Sequence, residues 1–124
     1  MSVPILKIGD VLIVSMPEAL TDRDLAEMKD ELADTVGRYR SRGVVVDVSA
    51  LDVMDSFATR TMRGIAHTTK LRGAQTVIVG IQPDVAFAMV QLGLSLEGVT
   101  TALDLEEGME MLGAQLQERG GHGG

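Results

Sequence analysis

The chain has 124 residues, of which 45% are hydrophobic and 23% charged, and its formal net charge is −7 at pH 7. This length and composition predict one globular domain and not a disordered chain. The absence of cysteine excludes disulfides and thiolate metal sites, and the two histidines are too few for a histidine-rich metal centre. The negative charge and the 2% aromatic content disfavour nucleic-acid binding, and no stretch approaches the ~20 apolar residues of a membrane span.

The first half of the chain is predicted to form a hairpin and then a helix. Two short extended runs, residues 5–8 and 11–14, flank a Gly9-Asp10 turn. A helix then begins after Thr21, a good N-cap residue, and Gly43 is its expected C-terminal cap. Apolar residues recur at spacings of three and four, which places these on the inner face: Leu25, Met28, Leu32, Val36 and Tyr39.

The second half of the chain alternates between strands and helices. Buried strands are predicted at 44–48 and 76–79, with a short last strand at 99–101. Helices are predicted at 55–71, at 83–92 and after a capping box of Asp104 and Glu107. The order β-β-α-β-α-β-α-β-α predicts an α/β fold with a mixed sheet. We expect a single domain over residues 1–119 and a flexible glycine-rich tail over residues 120–124.

The densest polar stretch, residues 47–56, follows the most apolar strand, where α/β folds usually place their sites. Asp47 and Ser49 match part of the Asp-x-Ser-x-Ser metal-binding pattern, but Leu51 replaces the second serine. Asp47 could also be the phosphorylated aspartate of a receiver domain. That interpretation lacks the acidic pair after the first strand and the lysine after the last one.

A third interpretation of this stretch is a small enzyme that uses Asp47, Asp52 or Asp55 as acid and base. No nucleophile, phosphate-binding loop or cofactor fingerprint accompanies these carboxylates in the sequence. We therefore expect a protein without catalytic activity, metal or cofactor.

Ser56 stands where the second helix is predicted to begin, and helix starts favour phosphate because their N–H groups are unpaired. The alternative is that Ser56 or Asp55 is only an N-cap. The helix then presents a basic face, which is either a docking strip or simply solvated, and whose first member is spaced to reach a phosphate on Ser56. Its members are Arg60, Arg63, His67 and Lys70.

Two apolar patterns do not fit the predicted core. Phe57 lies on a different side of its helix from Met62 and Ile65. The third helix carries a second apolar stripe of Phe87, Val90 and Leu94. A helix that is apolar on two sides indicates an interface, because an outer helix of so small a domain cannot be buried all round.

The chain resembles the STAS domain of anti-sigma-factor antagonists, and more closely the stressosome scaffold proteins of the RsbS type. Matching segments cover nearly the whole chain. The most specific are Asp-Ser-Phe at 55–57 and Val-Gly-Ile-Gln-Pro-Asp-Val-Ala at 79–86. The resemblance implies a non-enzymatic scaffold of the bacterial cytoplasm. The alternative is an anti-sigma-factor antagonist, or another STAS binding module without a stressosome.

The resemblance also implies the site and the partners. The phosphorylated serine of the family falls on Ser56, and the nearest upstream threonine, Thr21, is interpreted as a helix cap. The implied partners are a serine kinase of the RsbT type, held until phosphorylation frees it, a serine phosphatase, paralogous STAS subunits of the RsbR type, and further copies of the chain itself. We expect the kinase to meet Asp55, Phe57, Thr59, Arg60 and Arg63, and assembly to use Phe87, Val90 and Leu94.

Overall fold

The computed structural model describes residues 3–121, and the side chains of residues 3–113. In this range the chain forms the predicted order of elements. The strands are β1 (Ile5–Ile8), β2 (Val11–Ser15), β3 (Gly43–Asp47), β4 (Gln75–Val79) and β5 (Thr100–Ala102). The helices are α1 (Asp22–Tyr39), α2 (Ser56–Leu71), α3 (Pro83–Gln91) and α4 (Leu105–Gly121).

The five strands form one mixed sheet in the order β1-β2-β3-β4-β5. β1 is antiparallel to β2, and the other neighbours are parallel. Val14 pairs with Val46, and Val46 pairs with Ile78, so these side chains form one row on one face of the sheet. Because side chains alternate along a strand, Val45 and Val77 lie on the opposite face.

Helices cover both faces of this sheet and divide the core in two. The larger cluster joins Val14, Val46 and Ile78 to the inner faces of α1, α2 and α3. The smaller cluster joins Val45 and Val77 to Leu112 of α4. Burial on both faces explains why the central strands are nearly continuous runs of β-branched residues.

The first helix begins as predicted and ends differently. Thr21 and Asp24 form a reciprocal capping box, in which the Thr21 hydroxyl accepts a 3.0 Å hydrogen bond from the Asp24 N–H. The expected C-cap at Gly43 is wrong, because Arg40 takes the left-handed conformation (φ 51°) that ends the helix. Tyr39 was expected in the core but is half exposed, and the cationic groups of Lys7 and Arg38 lie 5.8 and 5.5 Å from the centroid of its ring.

The capping box predicted for the last helix is confirmed for one of its two hydrogen bonds. The Asp104 carboxylate accepts a 2.9 Å hydrogen bond from the Glu107 N–H. The Glu107 carboxylate in turn accepts from Leu103, one residue before the expected position. The helix extends to Gly121, and residues 122–124 of the predicted tail lie outside the described residues. Over residues 3–121, no helix combines the length and the apolar character that crossing a membrane requires.

Candidate functional site around Ser56

Ser56 is the first residue of α2 and is exposed at the carboxyl end of the parallel strands. Asp55, not Ser56, caps the helix: its Oδ1 accepts a 2.8 Å hydrogen bond from the Ala58 N–H. The Thr59 N–H donates to the main-chain oxygen of Asp55. The helix start is therefore capped without the Ser56 hydroxyl, which has no hydrogen-bond partner among the described residues.

The segment that leads into Ser56, residues 49–55, is anchored to the domain by two apolar side chains. Leu51 and Met54 are 7% and 4% exposed and belong to the main core. Val53, between them in sequence, is 71% exposed. The exposure of Val53 was not predicted, because nothing in the sequence suggests that this β-branched side chain lies in solvent. The result is an anchored loop that exposes one apolar side chain three residues before Ser56.

A hydrogen bond from the next loop holds this segment from the other side. The side-chain amide of Gln82 donates to the main-chain oxygen of Ser49 at 2.8 Å and lies 3.4 Å from an Asp52 carboxylate oxygen. Gln82 occupies the N-cap position of α3 but makes no side-chain capping bond there. A signal for this role is present in the sequence, since a glutamine before a helix-starting proline is a poor cap whose polar group is free for another partner.

A shallow acidic groove of about 230 Å³ adjoins the segment. Leu20, Leu25 and Leu51 contribute apolar surface to its lining. The carboxylates that line it are Glu18, Asp22, Asp52 and Asp55. Glu18 and Asp22 were not predicted at this site, because they follow the neighbouring strand β2 and share no local pattern with residues 47–56. Ser56 thus begins its helix next to a surface that is already negative.

The predicted kinase-facing residues divide into exposed and buried ones. Asp55, Arg60 and Arg63 are exposed on or beside α2. Thr59 is 1% exposed, so it lies beneath this surface and cannot contact a partner directly. Phe57 was expected away from the core but packs partly against it, because α1 covers that side of α2.

The basic face of α2 forms one side of a second groove. This groove has a volume of about 520 Å³, and its other side is the segment around Gly98 and Val99. Its charged lining consists of Arg60, Arg63, His67, Lys70 and a single carboxylate, Glu97. No hydrogen bond or ion pair within the described part of the chain occupies the four basic side chains.

The expected assembly residues on α3 are exposed to different extents. Phe87 and Val90 are 66% and 77% exposed, whereas Leu94 packs partly against the main core. Leu103, next to the short β5 strand, is also well exposed. The outer side of α3 therefore presents two large apolar side chains to solvent.

The alternatives based on Asp47 find little support in the local geometry. One of its carboxylate oxygens accepts a 2.9 Å hydrogen bond from the Ser49 N–H, which is the usual turn-forming role of aspartate. Within the described residues, no cluster of three or more histidine, aspartate or glutamate side chains could hold a metal ion.

Comparison with known proteins places the chain in a family. The STAS domain model matches residues 2–108. A serine-to-glutamate variant of RsbS from Moorella thermoacetica is 37% identical, with a TM-score of 0.80 over 93% of this chain and 97% of that one. A chain from a structure of the stressosome, described as a signal integration and transduction hub, is 38% identical, with a TM-score of 0.78 over 92% of this chain and 99% of that one.

Longer relatives share the same domain. The RsbT co-antagonist protein RsbRA of Bacillus subtilis is 25% identical over 111 residues, which is 89% of this chain and 40% of RsbRA. The chain thus spans less than half the length of this relative. The match of the family model over most of the chain, with the two RsbS-like structures, settles the classification. The chain belongs to the STAS domain family and, within it, to the stressosome scaffold proteins of the RsbS type.

Proposed function

We propose that the chain is a cytoplasmic, non-catalytic scaffold subunit that holds a serine kinase of the RsbT type and releases it when Ser56 is phosphorylated. The observation that carries this proposal is the exposed Ser56 at the start of α2, whose hydroxyl the structure does not use for capping. A serine kinase needs such a hydroxyl, accessible and free of internal hydrogen bonds. Family membership supports the same role.

A phosphate on Ser56 is compatible with the fold. The N–H groups of Ser56 and Phe57 begin the helix, where no helical carbonyl can accept from them. The helix dipole also favours negative charge at this end. Because Asp55 keeps its capping bond to Ala58, modification of the neighbouring hydroxyl leaves the helix start intact.

The same phosphate changes what can bind. It adds about −1.5 to −2 charges to a surface that already carries Asp52 and Asp55. Val53 and Ser56 are both exposed and only two residues separate them in sequence, so we infer that a kinase bound here covers both. Burying an uncompensated charge there costs several kcal/mol, and ~2.8 kcal/mol already weakens binding about a hundredfold. Charge at a packed surface is thus sufficient to release the partner.

Assembly is the second part of the proposal. We infer that the outer side of α3, with Phe87 and Val90, joins the subunit to further copies or to paralogous subunits of the RsbR type. Two large apolar side chains exposed side by side are typical of an interface. Because α3 is separate from α2, the kinase surface stays accessible in the assembled particle. A serine phosphatase would then return the subunit to its kinase-binding form.

The decisive experiment combines phosphopeptide mapping with kinase retention. The purified chain is incubated with the RsbT-type kinase and ATP, and the same kinase is then captured on the immobilised wild type and variants. We expect phosphate on Ser56, full retention by Ser56→Ala in the presence of ATP, and partial release by Ser56→Asp. The partial effect follows because one carboxylate carries less charge and fewer acceptor oxygens than a phosphate.

Ser95→Ala is the matched control, because Ser95 is an exposed serine in the segment after α3. This variant should be phosphorylated and should release the kinase like the wild type. Phosphate found only at another residue, or equal retention by Ser56→Ala and Ser56→Asp, would refute the proposed switch. Phe87→Asp should reduce the assembled mass in light scattering while kinase retention is unchanged. A particle of unchanged mass would show that α3 takes no part in the assembly.

A further inference from the structure

The groove between α2 and residues 97–99, called here the α2 groove, is an exception in an acidic protein. The chain has a net charge of −7, yet α2 contains no carboxylate. The basic face of α2 lines the groove, and Glu97 is the single carboxylate among the described residues of its lining. Clefts lined by one sign of charge attract ligands of the opposite sign, so the α2 groove indicates an anionic partner.

The basic face forms a continuous row along α2. Its members are spaced by three, four and three residues, which places them on one side of the helix, and all four are exposed. The row extends from Arg60 to Lys70, which is about 15 Å of helix. A Cβ atom on Gly64 would lie 3.6 Å from the Nζ of Lys29, so a further cation from α1 lies beside the row.

The basic face is not neutralised from within the domain. The ion pairs found among the side chains of residues 3–113 join Arg23 to Glu27 and Arg38 to Asp34, and both pairs lie within α1. Neither pair involves a residue of the α2 groove. The basic side chains of this groove are therefore available to carboxylates from outside the described part of the chain.

Both walls of the α2 groove are anchored to the core. On one wall, α2 packs Met62 and Ile65 into the domain, where both are buried. On the other wall, Leu96 and Val99 pack partly against the same core cluster. The Val99 N–H also donates a 2.9 Å hydrogen bond to the main-chain oxygen of Leu96, which holds a turn between them. The groove is thus largely preformed, and a partner does not have to order it.

The dimensions of the α2 groove favour a short acidic segment of a protein. An extended chain advances about 3.3–3.6 Å per residue, so a row of about 15 Å faces four or five residues. A long polyanion such as nucleic acid fits poorly, because the whole chain is negative and the carboxylates of Asp52 and Asp55 lie at the Ser56 end of α2.

We propose that the α2 groove docks an acidic segment of the kinase that phosphorylates Ser56. The inference rests on the proposed function and adds to it the chemistry of the partner and two contact residues, His67 and Lys70. Position supports this occupant, because Arg60 lies about one helical turn after Ser56. A kinase bound over Ser56 therefore meets the groove along the same helix, where the expected contacts Arg60 and Arg63 already line it.

Docking of an acidic segment also bears on release. A row of cations attracts the segment before contact, so it raises the association rate of the kinase, and salt weakens this effect. A phosphate on Ser56 adds negative charge about one turn from Arg60, a spacing at which the guanidinium can bind it. The phosphate then competes with the carboxylates of the kinase for Arg60 and repels them.

The test measures how fast the RsbT-type kinase associates with immobilised chains at low salt. Arg63→Glu with Lys70→Glu reverses two charges of the basic face. It should lower the association rate constant at least about tenfold, the lower end of electrostatic steering. The difference from the wild type should shrink in 1 M salt, where the Debye length is about 3 Å. Arg63→Gln with Lys70→Gln only removes the charges and should give an intermediate rate.

A matched control separates docking from the effect of net charge. Lys7→Glu with Arg38→Glu makes the same change in net charge as the reversal in the groove. Both residues are exposed and lie next to the Tyr39 ring, near the edge strand β1. This strand is at the opposite edge of the sheet from β5. The control should associate with the kinase at nearly the rate of the wild type.

Carbodiimide cross-linking identifies the occupant, because this reagent joins an amine to a carboxylate only where the two are in contact. The chain has three lysines. Lys70 lines the α2 groove and Lys29 lies beside it, whereas Lys7 is on β1. We expect mass spectrometry to find an acidic peptide of the kinase joined to Lys70 and not to Lys7. Hexaglutamate, added as a competitor, should slow the association of the wild type.

The outcomes distinguish this inference from the proposed function. Equal association rates for the wild type and the groove reversal, or cross-links at Lys7 alone, would overturn docking in the groove while Ser56 is still phosphorylated. A DNA oligonucleotide that competes better than hexaglutamate would overturn the assignment to an acidic protein segment. A kinase that the wild type does not hold at all would overturn the proposed function, and this inference with it.

Discussion

Gln82 donates its side-chain amide to the main-chain oxygen of Ser49, thirty-three residues earlier in the chain, at 2.8 Å. This bond joins the loop after β4 to the loop after β3. It therefore connects the start of α3 to the segment that carries Val53 and leads into Ser56. The shape of the proposed phosphorylation site at Ser56 thus depends on a residue outside it.

Replacing Gln82 should loosen that segment. We expect Gln82→Ala to lower the free energy of unfolding by about 1 kcal/mol, since the hydrogen bond to Ser49 and the longer one to Asp52 are lost. Amide hydrogen exchange of residues 49–55 should become faster. Gln91→Ala, at the exposed end of the same helix, is the control and should change neither quantity. Unaltered exchange in Gln82→Ala would show that the two apolar anchors hold the segment alone.

The separate contributions of Asp55 and Ser56 to the stability of the start of α2 can be measured directly. Asp55→Ala removes the helix cap and should cost about 1 kcal/mol of stability. Ser56→Ala removes a hydroxyl that is not used inside the protein and should change stability by less than about 0.5 kcal/mol. Urea denaturation of both variants measures the two losses of stability. Equal losses would mean that Ser56 shares in capping.

Gly80 should not tolerate a side chain. Its φ is +81°, and a Cβ atom there would lie 2.9 Å from the Ser49 Cβ and 3.1 Å from an Asp47 carboxylate oxygen. Gly80→Ala therefore combines backbone strain of about 1–2 kcal/mol with a collision against the Ser49 loop. Gly93→Ala separates the two effects, because Gly93 also has positive φ (69°) but open space around it. We expect thermal unfolding to show the larger loss in Gly80→Ala.

Two buried threonines of α2 should respond oppositely to the loss of their hydroxyl. The Thr59 hydroxyl is buried without a hydrogen-bond partner among the described residues, so Thr59→Val should be neutral or stabilising. The Thr69 hydroxyl lies 2.6 Å from that of Thr76 and also donates to Ile65. Thr69→Val should cost about 1–3 kcal/mol, because Thr76 is left buried and unpaired. Denaturation midpoints of the two variants test this prediction. A lower midpoint for Thr59→Val than for Thr69→Val would contradict it.

The capping box of α1 gives stability a dependence on acid. The hydrogen bond from the main-chain N–H of Thr21 lowers the pKa of Asp24 below its ordinary value. A lowered folded pKa means that the contribution of Asp24 is fully present above its unfolded pKa of about 4 and is lost as pH falls through the lower folded value. The stability difference between wild type and Asp24→Asn should therefore shrink as the pH falls below about 4. A stability difference that grows in acid would contradict the lowered pKa of Asp24.

The elements that the sequence predicted well are those whose signals are local. The order of strands and helices followed from apolar spacing, and the caps at Thr21 and Asp104 followed from residue type. The end of α1 was not predicted correctly, because Arg40 adopts a left-handed conformation that a glycine would adopt more easily. No local pattern marks an arginine for that conformation.

At the site, exposure was harder to predict than position. Ser56 was correctly placed at a helix start, but the role of cap fell to Asp55 alone. The burial of Thr59 and the exposure of Val53 depend on how α1 and the two anchors pack, which lies outside any short window of sequence. The bond from Gln82 spans two loops and is likewise a property of the assembled sheet.

The strand order also bears on how the domain folds. Each strand of the sheet pairs with the strand that precedes it in the chain, so no strand has to insert between two that are already joined. The residues of β1 and β2 precede those of β3 in the chain, and every later strand pairs at the edge left by the strand before it. Loop closure then never spans more than one helical crossover, which keeps its entropic cost low. The sheet can grow in one direction, from the amino-terminal hairpin towards β5.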